Sequence, residues 1–434
     1  MASEKKDFGP ERPEASTLSS DSELGVIAGS SVNETSLLRK LDLRLLPAVS
    51  ILYLLSFLDR SNVANARIEG LTTDLNMTGN QYLTGLTLYF IGYVLFEIPC
   101  NIILKRTTPK FWLPTLTLAW GVVATLMGVT QNLAGFFVVR FFLGVTESGL
   151  FPGVVFYLSM WYKRAERQYR ISLFFSAASL AGAFGGILAW GIAHMRNVGG
   201  YAGWRWIFIL EGLLTILIAA MAYFFISNYA SDVGWLSDNE RSYINARLKA
   251  DSDATHDEKF AWSEAWVACK DVKCWLYGLG FHTMSLPLYT LSLFLPTIIK
   301  DMGYTSAQSQ LLTIPPYALA TIFTVVWAPT NNVSGQTKRA TANAMQISIG
   351  NLGAVLGTQL YRSITSPRYI LGHCFALGYL AANIVVTGTL WWILVKENKE
   401  KEEYLAQHPE TGGFHDTDED LRKGDRHPRW KFNT

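Results

Sequence analysis

Residues 133–158 read LAGFFVVRFFLGVTESGLFPGVVFYL. An α-helix needs roughly 20 apolar residues to cross the hydrocarbon of a bilayer, so this run is long enough. It carries two ionisable side chains, Arg140 and Glu147. Each such group costs roughly 3 kcal/mol at the bilayer centre even on the lenient insertion scale. Seven residues make nearly two helical turns, so both project from one face, about 10 Å apart along the axis. Such a helix must turn that face toward protein. A bundle of membrane-crossing helices around a polar interior follows.

Similar runs flank it, near 45–66, 82–104 and 111–131 before, and near 169–194, 205–228, 274–299, 308–328, 339–361 and 370–395 after. The expected fold is all-α: a polytopic membrane protein of ten spans, integral to a lipid bilayer. Six spans occupy residues 41–228 and four occupy 274–396. Between them, 229–273 carries Asp238, Glu240, Arg241, Arg247, Lys249 and Lys259 and reads as a partly helical cytoplasmic linker. Residues 1–40 and 397–434 are polar and charge-rich, which predicts disordered tails. Basic residues concentrate in alternate connections, at Lys105, Arg106 and Lys110, at Lys163, Arg164, Arg167 and Arg170, and at Lys338 and Arg339. The remaining loops are sparser, with Arg67, Arg196, Lys300, Arg362 and Arg368. The positive-inside bias then places both termini in the cytoplasm.

Composition narrows the function. Of 434 residues, 50% are hydrophobic and 17% charged, against about a quarter charged in soluble domains. A net charge of +2 supplies no field for nucleic acid. Four cysteines make no disulfide or metal framework, and no cofactor is expected. The sequence has no GxSxG, HExxH, P-loop or helix-opening GxGxxG, so an enzyme is not expected.

The intramembrane charges are the candidate site. Asp59 and Arg60 are adjacent within the first run and point about 100° apart on a helix, so they need not pair yet both border one polar interior. An arginine clasps a carboxylate bidentately, and a desolvated glutamate takes up protons readily, so Arg140 and Glu147 suit an anion site beside a proton site. Glu97 is expected to pair with loop bases such as Arg106, and Arg205 and Glu211 to serve as an end anchor and a packing pair. His282, near Tyr289, reads as a hydrogen-bonded structural histidine. The small-residue stretch Ala177 to Gly191, and Gly350, Gly353 and Gly357, predict closely packed helices.

Several segments are specific enough to carry a family resemblance: RLLPAVSILYLLSFLDRSNVANARIEGL (44–71), FEIPCNIILKRTTPKFWLP (96–114), RFFLGVTESGLFPGVVFYLSMWYKRAER (140–167) and GWRWIFILEG (203–212). They continue in SLFLPTIIKDMGYTSAQSQLLTIPPYALA (292–320), NNVSGQTKRATANAMQISIGNLG (331–353) and SPRYILGH (366–373). Together they resemble the fungal anion:cation symporters of the major facilitator superfamily, which include allantoate permease and the high-affinity nicotinic acid transporters. The resemblance implies proton-coupled symport of a small organic anion such as nicotinate or allantoate, at the plasma membrane. It implies proton coupling for Asp59 and Glu147 and substrate contact for Arg60 and Arg140, and Tyr289 is a further substrate-binding candidate. The rival reading is a non-transporting membrane sensor or an inactive shortened paralogue.

The sequence departs from that family in one place. The family pattern has twelve spans. Here the eighth run passes near Val326–Trp327 directly into the segment that follows the family's tenth span, so late span eight through most of span ten is missing.

Overall fold

The computed structural model describes residues 32–250, 262–318, 336–409, 411 and 424–432. Its helices are α1 Glu34–Ile68, α2 Gly79–Arg106, α3 Pro109–Gly128, α4 Leu133–Glu147, α5 Leu150–Ser159, α6 Arg164–Ala193 and α7 Gly203–Phe225. They continue as α8 Asp238–Ala250, α9 Trp262–Lys270, α10 Val272–Asp301, α11 Ser306–Leu311, α12 Gln336–Thr358 and α13 Ile370–Gln407. The quoted run 133–158 forms α4 and α5, nearly continuous through Ser148–Gly149.

Seven spans are long and apolar enough to cross a membrane, counting α4 and α5 as one. The count of ten expected from the sequence stands at seven by this criterion among the described residues. Helices α10 and α12 have the length but are more polar: Thr283, Ser285, Thr290, Ser292 and Thr297 of α10 are all buried. The expected eighth span is described only to residue 318, and the Val326–Trp327 junction lies outside the described residues.

Two expected tails are shorter than their sequence boundaries. Helix α1 begins at Glu34, where Asn33 caps it by accepting from the Ser36 amide. The start of α1 is held by ion pairs: Lys40 pairs with Glu240 at 2.8 Å, Asp42 takes a two-pronged contact from Arg170 at 2.5 and 2.9 Å, and buried Arg247 pairs with Glu166 of α6. Linker helix α8 is thereby tied to α1 and α6. At the other end of the chain, α13 continues to Gln407, and residues 424–432 fold back onto it. Lys338 is buried between Asp271 and Asp425, at 2.7 and 2.8 Å. Lys401 donates to the Asp425 and Trp430 carbonyls. Burial alone would lift the Asp271 carboxyl, but the hydrogen bond and charge of Lys338 hold it below its ordinary range. Lys40, Lys401 and Asp425, which fall within the expected tails, are thus partnered.

Glycines set how closely the helices approach. A Cβ on Gly144 of α4 would lie 1.9 Å from the Tyr89 carbonyl oxygen of α2, and one on Gly92 would lie 2.4 Å from the Phe141 carbonyl. Only hydrogen at both positions lets the two backbones touch, which brings Tyr89 beside Glu147. Gly144→Ala is expected to push the helices apart and cost about 1–3 kcal/mol, as overpacking does. Thermal unfolding in detergent checks this, with Gly280→Ala, whose added Cβ would meet nothing closer than 3.8 Å, as the tolerant control. The expected close packing of the other small residues is also found. Gly350 lies on Phe281, Gly353 on the His282 carbonyl, and Gly186 on the Gln310 carbonyl.

The N-terminal helices meet the C-terminal ones along α1–α10, α2–α12 and α6–α11. Across α2–α12, Thr87 and Thr358 hydroxyls are 2.8 Å apart, and Gln359 donates to Thr87 at 2.8 Å. At the C-terminal end of α1, Lys300 and Ser306 donate to the Ile68 carbonyl at 2.6 and 3.2 Å. Helix α13 packs chiefly on α10 and buries 6% of its most apolar window.

Candidate functional site

Asp59 and Arg60 diverge as helical geometry demands, and each enters a different cluster. Arg60 points across the bundle to α4 and α10. Its Nη2 donates to Glu147 Oε1 at 2.7 Å, and its Nη1 donates to the Tyr289 hydroxyl at 2.7 Å. Glu147 also accepts from Ser56, one turn before Arg60, and from the Tyr89 hydroxyl at 2.5 Å. The guanidinium sits 4.8 Å from the Phe57 ring centre, 5.4 Å from Tyr289, 5.5 Å from Tyr89 and 5.6 Å from Tyr93. These distances are within cation–π reach. Both charged side chains are nearly inaccessible, at 6% and 1% exposure. In such a setting the aromatic faces and the carboxylate replace the lost hydration of the guanidinium.

Asp59 faces the opposite way. Trp120 of α3 donates to its Oδ2 at 2.7 Å, and Thr215 of α7 lies 3.4 Å from the same atom. Its Oδ1 has no hydrogen-bond partner. Asn62, one turn on, donates to Glu211 of α7 at 2.6 Å.

Arg140 is 1% exposed, and its Nε and Nη2 have no hydrogen-bond partner among the described residues. Its guanidinium lies 5.6 Å from the Phe136 ring centre. Both Asp59 and Glu147 are among the charges that act on it. A buried guanidinium with unmet donors in electrostatic reach of two acids presents a cation for a third anion.

The structure thus brings Arg60, Glu147 and Tyr289 into one contact network, with Asp59 in a second and Arg140 within reach of both. Glu147 takes its cation from Arg60, 87 residues away in sequence. Glu97 is fully buried and accepts from Ser348 of α12 at 3.2 Å; its expected partner, the Arg106 side chain, lies outside the described ones. One expectation is revised: Arg205 and Glu211 do not form a pair. Arg205 donates to the Gly128 and Thr130 carbonyls at 3.0 and 2.7 Å, satisfying the C-terminal end of α3, while Glu211 joins Asn62. His282 is a structural histidine, with Nδ1 2.8 Å from the Ile349 carbonyl oxygen. Ser56, Tyr89, Tyr93 and Trp120 went unnoticed in the sequence. The signal was present for two of them: Tyr89, Tyr93 and Glu97 follow at four-residue spacing, which is one helix face.

The sequence signature described as Major Facilitator Superfamily matches residues 49–404. An MFS-type transporter, cnsO, of Penicillium expansum is 34% identical, over 86% of both chains. An MFS transporter, prlL, of a fungal species is 35% identical over 82% of this chain and 74% of its own. The high-affinity nicotinic acid transporter of Saccharomyces cerevisiae is 28% identical over 99% of this chain and 90% of its own. Among solved structures, the partially occluded inward-open xylose transporter XylE of E. coli superposes with a TM-score of 0.52 at 10% identity, covering 80% of this chain and 98% of its own. That likeness concerns fold alone.

Proposed function

This chain belongs to the Major Facilitator Superfamily, and on that premise we propose that it is a proton-coupled symporter of a small organic anion, a nicotinate- or allantoate-like carboxylate. The transporter class and the membrane-integral fold come with the family. The observation that carries the finer reading is the buried Arg60–Glu147 ion pair against Tyr289, at the contact between the two sets of helices. In this pair the Glu147 carboxylate occupies the cation that a substrate carboxylate would seek. Protonating Glu147 cancels that hold and frees Arg60 for the anion, so proton and anion load together. Arg140, with unmet donors, supplies the second cation for the substrate, and Tyr289 carries the event to α10. Asp59 holds a further proton on the α3–α7 side. Alternating access follows from rocking the two sets of helices about this contact. The distribution of basic loops supports cytoplasmic termini, and the resemblance to the fungal anion:cation symporters supports a plasma-membrane site.

The test is uptake of labelled nicotinate into liposomes holding the full chain, with and without an acid-outside gradient. Accumulation under the gradient, competed by allantoate or other small carboxylates and not by neutral amides, is expected. Binding without passage of label would favour a sensor.

A further inference from the structure

Beyond Arg60 and Glu147 lies a second buried polar cluster, between α1, α3 and α7. Asn62 and Glu211 are 0% and 3% exposed. One amide hydrogen of Asn62 meets Glu211 Oε2 at 2.6 Å. Among the described residues the two remaining oxygens, Glu211 Oε1 and Asn62 Oδ1, have no hydrogen-bond partner, and neither has Asp59 Oδ1. Acceptors therefore outnumber donors in a site that excludes most solvent, and unmet buried acceptors cost about 1–3 kcal/mol each. A single proton removes two of the three deficits. A neutral carboxyl and a primary amide pair as a ring, the amide N–H on one carboxyl oxygen and the carboxyl O–H on the amide oxygen.

Among the described residues no cation contacts Glu211, and Arg140 of α4, whose charge reaches Asp59, makes no ion pair with it. Helix α3 has one ionisable residue, Lys110, in its first turn. Helix α6 carries Arg164, Glu166, Arg167 and Arg170 in its first two turns, where Arg170 is taken by Asp42. Helix α1 brings Asp59 at this level, with Arg60 turned away to Glu147. On α7 itself, Arg205 is spent on the Gly128 and Thr130 carbonyls. Thr215 donates to the Glu211 backbone carbonyl at 2.9 Å and lies 3.4 Å from Asp59 Oδ2, so one hydroxyl links the two acidic residues.

We propose that Glu211 is a further proton-binding residue of the carrier, besides Glu147 and Asp59, holding its proton on Oε1 against Asn62 Oδ1 and remaining neutral whenever Asp59 is charged. Two buried carboxyls that share one cluster titrate as a pair, so Asp59 ionises only while Glu211 keeps its proton. The assignment of Glu211 rests on this inventory; its part in transport rests on the proton-coupled reading above.

The test is infrared spectroscopy of the full chain in lipid nanodiscs, titrated with acid and base, on wild type, Glu211→Gln and Asn62→Leu. One protonated-carboxyl carbonyl band present at neutral pH, lost in Glu211→Gln and moved to higher frequency in Asn62→Leu, is the expected result. A spectrum in which Glu211→Gln removes no such band, or Asn62→Leu leaves it in place, overturns the proposal. If Glu211→Gln does not yield folded protein, the frequency shift in Asn62→Leu decides alone. A band that behaves as expected in a protein that fails to move nicotinate leaves Glu211 protonated and refutes the substrate reading instead.

Discussion

Glu147→Gln is expected to abolish gradient-driven accumulation while leaving nicotinate exchange in place. The amide has the shape of the protonated acid and no charge, so Arg60 stays available to the anion whatever the pH. One proton per anion across one pH unit is worth about 1.4 kcal/mol, or about tenfold accumulation. In the variant that factor falls to one. Exchange of labelled for unlabelled nicotinate needs no net proton movement and continues. The comparison of net uptake with exchange, at matched protein, separates loss of coupling from loss of fold.

Arg60→Met and Arg140→Met are expected to differ sharply in their cost to stability, though both stop transport. Methionine keeps much of the side-chain volume in each case. Removing Arg60 strands Glu147 as a buried carboxylate and leaves Tyr289 without its donor. Breaking one side of a buried pair costs about 3–5 kcal/mol. Around Arg140, the Nε and Nη2 groups break no protein hydrogen bond when removed. The attraction lost toward Asp59 and Glu147 is offset by the desolvation penalty no longer incurred, so the change stays within about 1 kcal/mol. Thermal unfolding in detergent reads the difference directly. A fall for Arg140→Met as large as that for Arg60→Met would mark Arg140 as structural and remove it from the substrate site.

Much of this arrangement was legible in the sequence, for physical reasons that also fix where legibility ended. Run length and apolarity predict spans because backbone groups in lipid must be satisfied within a helix. The 100° step between neighbours gave the divergence of Asp59 and Arg60, and a period of seven put Arg140 and Glu147 on one face. Neither rule says which other helix that face meets. The Arg60–Glu147 contact depends on two glycines, Gly92 and Gly144, allowing α2 against α4, and on α1 crossing beside them. Glu211 was misread because proximity in sequence to Arg205 stood in for proximity in space. Six residues is a poor spacing for a helical pair, and the arginine at the start of α7 found the open carbonyls at the end of α3 instead. The terminal stretches were misjudged for a related reason. Composition reports that Lys338, Asp425 and Lys401 are charged but not that they meet, and burial between opposite charges is a tertiary property.

The central claim is that anion and proton cross together, and the most direct measurement is proton movement itself. Liposomes holding the full chain, clamped at zero potential with a pH dye outside and no initial gradient, receive nicotinate. Alkalinisation of the medium in step with uptake of label, absent in Glu147→Gln, is the expected result. Uptake of label with no change in outside pH would contradict proton symport.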